Sequence, residues 1–307
     1  RADHPRKPEL PGDVMTPAAR LSAAIAVLDR VLGGEPAEKA LTNWGRASRY
    51  AGSGDRYAVR DLVFDALRCK RSYAALGGSE TGRGVMLGAL RAKGIDADQV
   101  FTGEGHAPEP VTPNEVGRTA SGPEALDIQD WIYPLFHNAL GDEVDQTLQA
   151  MRGRAPVFLR VNIAKTSLAM AQATLAAEGI VTLPTAIAKN GLEVVENESK
   201  ISKSQAYLTG LVELQDASSQ AVVEAVPLSD GQRVLDLCAG GGGKTLALAA
   251  RAKLQVFAHD HDPRRMRDLP DRAKRAGIKV SICDNPEKTA PYDVVLTDVP
   301  CSGSGSW

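Results

Sequence analysis

The chain has 307 residues, of which 43% are hydrophobic and 24% charged, with a formal net charge of −2. No apolar run reaches the roughly 18 residues that a membrane span needs, and no signal-peptide pattern is visible, so the expectation is a cytoplasmic, monomeric protein of two or three domains. Cys69, Cys238, Cys283 and Cys301 include no C-x-x-C pair and no zinc-ligand spacing, which argues against a disulfide framework and against a metal site.

Residues 1–17 are polar and proline-rich and read as a flexible lead-in. Helical patterns follow over 21–32, 37–50, 55–76, 84–93, 96–101, 128–140 and 142–151, with a Pro/Gly/Thr-rich linker over 103–123. Val59, Leu62, Val63, Ala66 and Leu67 share one helical face. Between Lys39 and Arg71, eight basic residues stand against three acids. Such a stretch is either a solvated helix face or a patch that holds phosphates.

At residue 155 the pattern changes. A strand over 155–162, a helix over 167–179, Ile180-Val181 and a strand near 192–195 suggest a small α/β domain, with Arg160 and Asn162 as polar contacts. The expected organisation is a helical domain over 1–150, a small α/β domain over 151–225 and a Rossmann-like α/β domain over 226–307.

The third segment opens with RVLDLCAGGGGKT (233–245): a short apolar strand, four consecutive glycines, then a strong helix former. Glycines let the backbone turn sharply and approach a ligand, and a helix start offers free amides to an anion. In an open parallel sheet, ligands bind outside the carboxyl ends of the strands, where this turn lies. A phosphate-binding P-loop needs a glycine at position 238, which is Cys238. A G-x-G-x-x-G match onto a glycine run is weak, and S-adenosylmethionine remains as the third ligand class. Predicted strands over 256–258, 278–283 and 293–297 end at Asp260, Asp284 and Asp298, so carboxylates recur at successive strand ends. An acidic residue about 20 positions after the glycine turn is placed to hold ribose hydroxyls, and Asp260 fits. A helix is expected over 264–276. By spacing alone, Cys301, just past a strand and beside Asp298, would be a nucleophile.

DLCAGGGGKT (236–245), Asp260, Asp284, DVPCSGSG (298–305) and GLVELQDASSQ (210–220) resemble the Sun/Fmu-type RNA (cytosine-5)-methyltransferases. The resemblance is good over about 155–307 and loose before it. The family commonly has an alanine and a proline or glycine before its Gly-Gly-Lys, where this chain has glycine throughout. The resemblance implies an S-adenosylmethionine-dependent enzyme acting on cytosine carbon-5 of RNA, with ribosomal RNA the expected partner and transfer RNA the alternative. It implies a NusB-like helical domain at the N-terminus, implicated in RNA binding, and an RNA-recognition-like domain after it. Residue by residue, Cys238, Ala239, Gly240, Gly241, Gly242, Gly243 and Lys244 would wrap the methionine and ribose of the cofactor. Asp260 would hold the ribose hydroxyls, Asp284 the adenine amino group, and Asp298 the methionine end and the target base. In this family the Pro-Cys cysteine, here Cys301, assists release of methylated RNA. The nucleophile lies in a later Thr-Cys-Ser segment that this sequence does not contain, and three further strands are expected past Trp307. A non-catalytic RNA-binding or assembly protein that keeps the fold is the competing expectation.

Overall fold

The computed structural model describes residues 15–301. Most of the predicted lead-in (1–14) and Ser302–Gly305 of the second motif lie outside the described residues. The chain divides after Ala155 into two compact units.

Caps and glycines set the helices of the first unit. α1 (Pro17–Leu32) starts where the Thr16 hydroxyl accepts from the Ala19 amide at 3.1 Å and Pro17 occupies the first turn, where its missing N–H costs nothing. α2 (Ala37–Ala47), α3 (Ser53–Arg68), α4 (Lys70–Gly77) and α5 (Gly82–Ala92) follow. The continuous helix expected over 55–76 is two helices that break at Cys69. The second start is held from far along the chain. Asp127 accepts from the Ser72 amide and hydroxyl, each at 2.8 Å, and from Arg152 at 2.7 Å. That cap is tertiary and leaves no local pattern.

α4 and α5 pack with their backbones nearly in contact. A Cβ on Gly88 would sit 1.8 Å from the Tyr73 carbonyl oxygen, and one on Gly77 would sit 1.7 Å from that of Gly84. Leu28, Val59, Val63, Met86, Leu87 and Phe101 fill the core. The stretch expected as a helix over 96–101 is a single 3-10 turn, Ala97–Gln99. The one expected over 128–140 begins late, as α6 (Tyr133–Leu140), and α7 (Val144–Met151) closes the unit.

The second unit carries two four-stranded sheets. β1 (Val157–Val161), α8 (Leu168–Ala177), β2 (Val181–Pro184), β3 (Gly191–Glu196), the one-turn α9 (Gln205–Leu208) and β4 (Val212–Leu214) form an antiparallel sheet in the order β2-β3-β1-β4. β4 lies inside the 210–220 motif and had no strand expectation. Its three residues are too short for a periodic signal, and pairing with β1 creates it. Leu159, Leu175, Ile180 and Leu192 form the core beneath this sheet.

α10 (Ala217–Glu224) leads into β5 (Arg233–Asp236), α11 (Gly243–Ala249), β6 (Gln255–Ala258), α12 (Leu269–Ala276), β7 (Ser281–Ile282) and β8 (Val294–Leu296). All pairings are parallel and the order is β7-β6-β5-β8. The helix expected over 264–276 is a 3-10 turn (Pro263–Met266) followed by α12. Pro270 explains the interruption, because it supplies no N–H and disfavours helical geometry in the residue before it.

Gly88→Ala should force α4 and α5 apart, since the added carbon meets backbone that cannot rotate away. We expect a loss of about 1–3 kcal/mol in urea unfolding followed by circular dichroism. Gly94→Ala, whose Cβ meets nothing within 4 Å, controls for clash but carries the strain of φ +65°.

Candidate functional site

Strand order places the glycine loop. β5 is flanked by β6 on one side and β8 on the other, so the chain reverses its direction of progress across the sheet at β5/β8. That switch point is where doubly wound sheets open a crevice at the strand ends. The loop 237–242 leaves β5 there. Gly240 (φ +50°) and Gly242 (φ +81°) adopt left-handed backbone, and a Cβ on Gly242 would lie 2.2 Å from Leu269 Cδ1.

Charged side chains hold this loop by its backbone. Asp260, 3% exposed at the end of β6, accepts from the Gly240 amide at 3.0 Å through Oδ2 and from the Asp262 amide at 3.0 Å through Oδ1, with Arg265 at 3.3 Å. Arg272 of α12 donates to the Gly241 carbonyl. Arg160 of β1 donates to the Gly243 carbonyl and to Gln215 Oε1, both at 2.6 Å. Burial pushes the Arg160 guanidinium down to about 10, with Glu213 opposing the shift and Arg272 adding to it. Glu213 of β4, itself buried, pairs with Arg275 at 2.8 Å and Arg272 at 3.4 Å. Asn162 donates to the carbonyls of Gly210 at 3.0 Å and Ala276 at 2.9 Å. Arg160 and Asn162 are therefore buried braces of the second unit, not surface contacts.

Beneath the loop, Asp236 ends β5 at 1% exposure. Its Oδ2 accepts from the Thr245 hydroxyl at 2.7 Å, while Oδ1 has no hydrogen-bond partner among the described residues. Burial raises the Asp236 carboxyl above its usual range, the Thr245 bond and Lys244 oppose this, and Asp298 adds to it. Across the switch point, Lys244 Nζ meets Asp298 Oδ2 at 2.6 Å. His259 Nδ1 lies 2.9 Å from the Cys283 carbonyl and ties the end of β6 to β7.

Of the residues singled out by sequence, the structure joins Asp260 to Gly240 and Lys244 to Asp298. Ala239 and Gly240 are buried, and Cys238 is half-buried. Asp284 is exposed past β7 with no polar partner among the described residues, and Cys301 is exposed and bonded to none of the others. Sequence reasoning passed over Asp236, Thr245, Gln215, Glu213 and Arg272. For Glu213 the available signal was a charged residue within an apolar run, LVEL, the same signal that Arg160 gives inside VFLRV.

A parallel sheet with this order, a bare glycine turn at the switch point and acidic strand ends define a Rossmann-like domain of the methyltransferase kind. Residues 223–307 match the family model described as 16S rRNA methyltransferase RsmB/F, and residues 129–201 match the ferredoxin-like domain of RsmF/B-like methyltransferases. Over these two segments the chain matches the RsmB/F methyltransferase family, in line with the Sun/Fmu-type resemblance. Ribosomal RNA small subunit methyltransferase B of Vibrio cholerae is 30% identical over 183 residues, 57% of this chain and 42% of that protein. The same-named protein of Xanthomonas campestris is 30% identical over 185 residues. The chain thus spans about two fifths of the length of these curated relatives. Among solved structures, the methyltransferase homolog protein from Pyrococcus horikoshii is 28% identical with a TM-score of 0.54, covering 59% of this chain and 62% of that one. PH0851 shares the fold with a TM-score of 0.68 at 20% identity, over 95% of this chain and 76% of that one. NSun6 from Pyrococcus horikoshii, solved with SFG, has a TM-score of 0.50 at 16% identity, over 56% and 71%.

Asp236→Asn keeps an acceptor for Thr245 and removes a buried charge. A carboxyl raised by folding contributes stability below its unfolded pKa and loses it as pH rises through the folded value. The wild type should therefore lose ground to Asp236→Asn as pH increases from about 4 upward, read as the difference between their melting temperatures. Arg160→Met should release the Gly243 carbonyl, and amide exchange over 241–246 should quicken by about tenfold or more, the loss of a bond of roughly 1.5 kcal/mol.

Proposed function

We propose that this chain supplies the cofactor-binding part of an S-adenosylmethionine-dependent RNA (cytosine-5)-methyltransferase, with 16S ribosomal RNA as its substrate. The observation that carries the reading is the glycine turn at the β5/β8 switch point, crossed by the Lys244–Asp298 ion pair. The residues present fit the cofactor: positions 240 and 242 are kept bare by backbone geometry, and the amides opening α11 have no acceptor among the described residues.

In this reading Cys238 to Lys244 hold the methionine and ribose portions through the loop backbone, Asp260 fixes the loop and faces the ribose, and Asp284 takes the adenine amino group. When bound, the cofactor supplies an electrophilic methyl group. Carbon-5 of cytosine is a poor nucleophile until a thiolate adds at carbon-6. After transfer, a base takes the carbon-5 proton and the thiolate is expelled. In the same reading Asp298, paired with Lys244 at 2.6 Å, meets the methionine end of the cofactor and the target base. Cys301 is exposed on the same segment and serves release of the methylated RNA, as the family resemblance implies.

Isothermal calorimetry with S-adenosylhomocysteine tests the reading. Wild type should bind, and Asp260→Ala should lose binding. Because Asp260 also braces the loop, Asp284→Ala gives the cleaner outcome. That side chain has no polar partner among the described residues, so its loss should weaken binding by about tenfold, the worth of one good hydrogen bond to a charged group, at an unchanged melting temperature. Absence of binding to the wild type would sink the reading.

A further inference from the structure

Gly240 and Gly242 adopt left-handed backbone, but Gly241 between them does not, so its conformation does not demand glycine. Its bareness has another cause. A Cβ on Gly241 would lie 2.8 Å from Arg272 Nη1 and, among the described residues, within 4 Å of nothing else beyond its chain neighbours. The guanidinium fills the one direction in which residue 241 could carry a side chain. The same nitrogen donates to the Gly241 carbonyl. Arg272 Nη2 faces Glu213 at 3.4 Å and lies 3.9 Å from where a Cβ on Gly243 would stand. A guanidinium is a planar fork with fixed donor directions, so an anchor on Nη2 aims Nη1 at the loop. The anchor is itself fixed. Glu213 is buried on β4, and Arg275 Nη2 meets its two oxygens at 3.0 and 2.8 Å.

We infer that Arg272 is a positioning residue for the cofactor: its guanidinium stands in for a side chain at position 241, and Glu213 of the antiparallel sheet aims it. The inference rests on the reading of the glycine loop as the S-adenosylmethionine site. A loop that holds its binding shape only part of the time binds with an affinity reduced by that fraction. Asp260 holds the loop at Gly240 and Arg160 holds it at Gly243, while Arg272 holds the peptide between them. Position 241 can therefore be restricted in two ways, by the guanidinium from outside or by a side chain of its own, and the two exclude each other in space. An arginine that instead met the carboxylate of the cofactor would act through its charge, and nothing placed at position 241 could replace it.

The test is a double-mutant cycle read by calorimetry of the full chain with S-adenosylhomocysteine. Arg272→Met keeps the stem and leaves Glu213 paired with Arg275. It should weaken binding about tenfold, the worth of a hydrogen bond from a charged group. In the wild type, Gly241→Ala pushes the guanidinium off the loop, which costs about the same tenfold, while alanine restricts the free loop and recovers about threefold. The net result is binding about threefold weaker than wild type. In the Arg272→Met background no guanidinium remains to displace, so the same alanine should tighten binding about threefold. Independent sites would instead leave the double variant about thirtyfold weaker than wild type. The reversal of sign is the decisive readout, because a general loss of structure at Arg272 is not repaired by a methyl group on the loop. Arg272→Met that binds like wild type, or additive losses in the double variant, would overturn the inference and leave the cofactor reading standing. So would a weakened Arg272→Met that alanine does not tighten, which would put Arg272 on the cofactor itself. Gly241→Ala decides the matter alone if Arg272→Met does not fold: unchanged or tighter binding there overturns the inference. A wild type that binds no analogue overturns the cofactor reading and, with it, the role of Arg272.

Discussion

The second unit depends on fixing a loop that has little reason of its own to be fixed. Four adjacent glycines lose about 4–8 kcal/mol of backbone freedom on ordering, at about 1–2 kcal/mol each. Three hydrogen bonds to charged groups, one accepted by Asp260 and two donated by Arg160 and Arg272, return about 5–9 kcal/mol at about 1.5–3 each. The terms nearly cancel, so the loop is ordered by its clasps and not by its sequence. Each clasp holds backbone, which leaves the glycines free of side chains on the crevice side. A loop of larger residues would have cheaper order and a filled crevice.

The clasps also explain why the antiparallel sheet belongs to the site. β1 and β4 present Arg160, Asn162, Glu213 and Gln215 toward α11 and α12, so the seam between the two sheets of the second unit is largely polar and buried. Buried ion pairs of this kind gain little net stability over apolar packing, because both charges lose their hydration. Their geometry is more demanding, however. Arg160 reaches Gly243 only when the antiparallel sheet sits in one register against α11, and its Nε remains without a partner even then. The seam specifies an arrangement more than it stabilises one.

The helical unit relies on a different device. Where α4 and α5 meet, glycines remove the side chains that would hold the helices apart, and close backbone packing replaces interdigitated side chains. Asp127, itself in left-handed backbone at φ +58°, reaches back to cap α4 and to hold Arg152, tying the end of the unit to its middle. On the outer side, α2 and α3 are tied to each other by Arg60 and Glu38, while Trp44 packs inward against the same core.

Much of this was legible in the residues themselves. The strand-glycine-helix pattern of 233–248, the acidic strand ends at 260, 284 and 298, and the switch from helical to strand patterns near 155 are local properties, and local steric and hydrophobic rules suffice to read them. The sequence also carried the D-x-PCSG motif and, with it, the family. It did not show the break at Cys69, because the cap comes from Asp127, or β4, because three residues have no period until β1 pairs with them. Nor did it show that Arg160 and Asn162 point inward, that Asp236 is left with an orphaned oxygen, or that Lys244 and Asp298, 54 positions apart, meet across the switch point. Each of these depends on which strand lies beside which. Strand order is fixed by contacts between distant segments, whose partners no stretch of sequence names, and only the assembled tertiary structure brings them within hydrogen-bonding range.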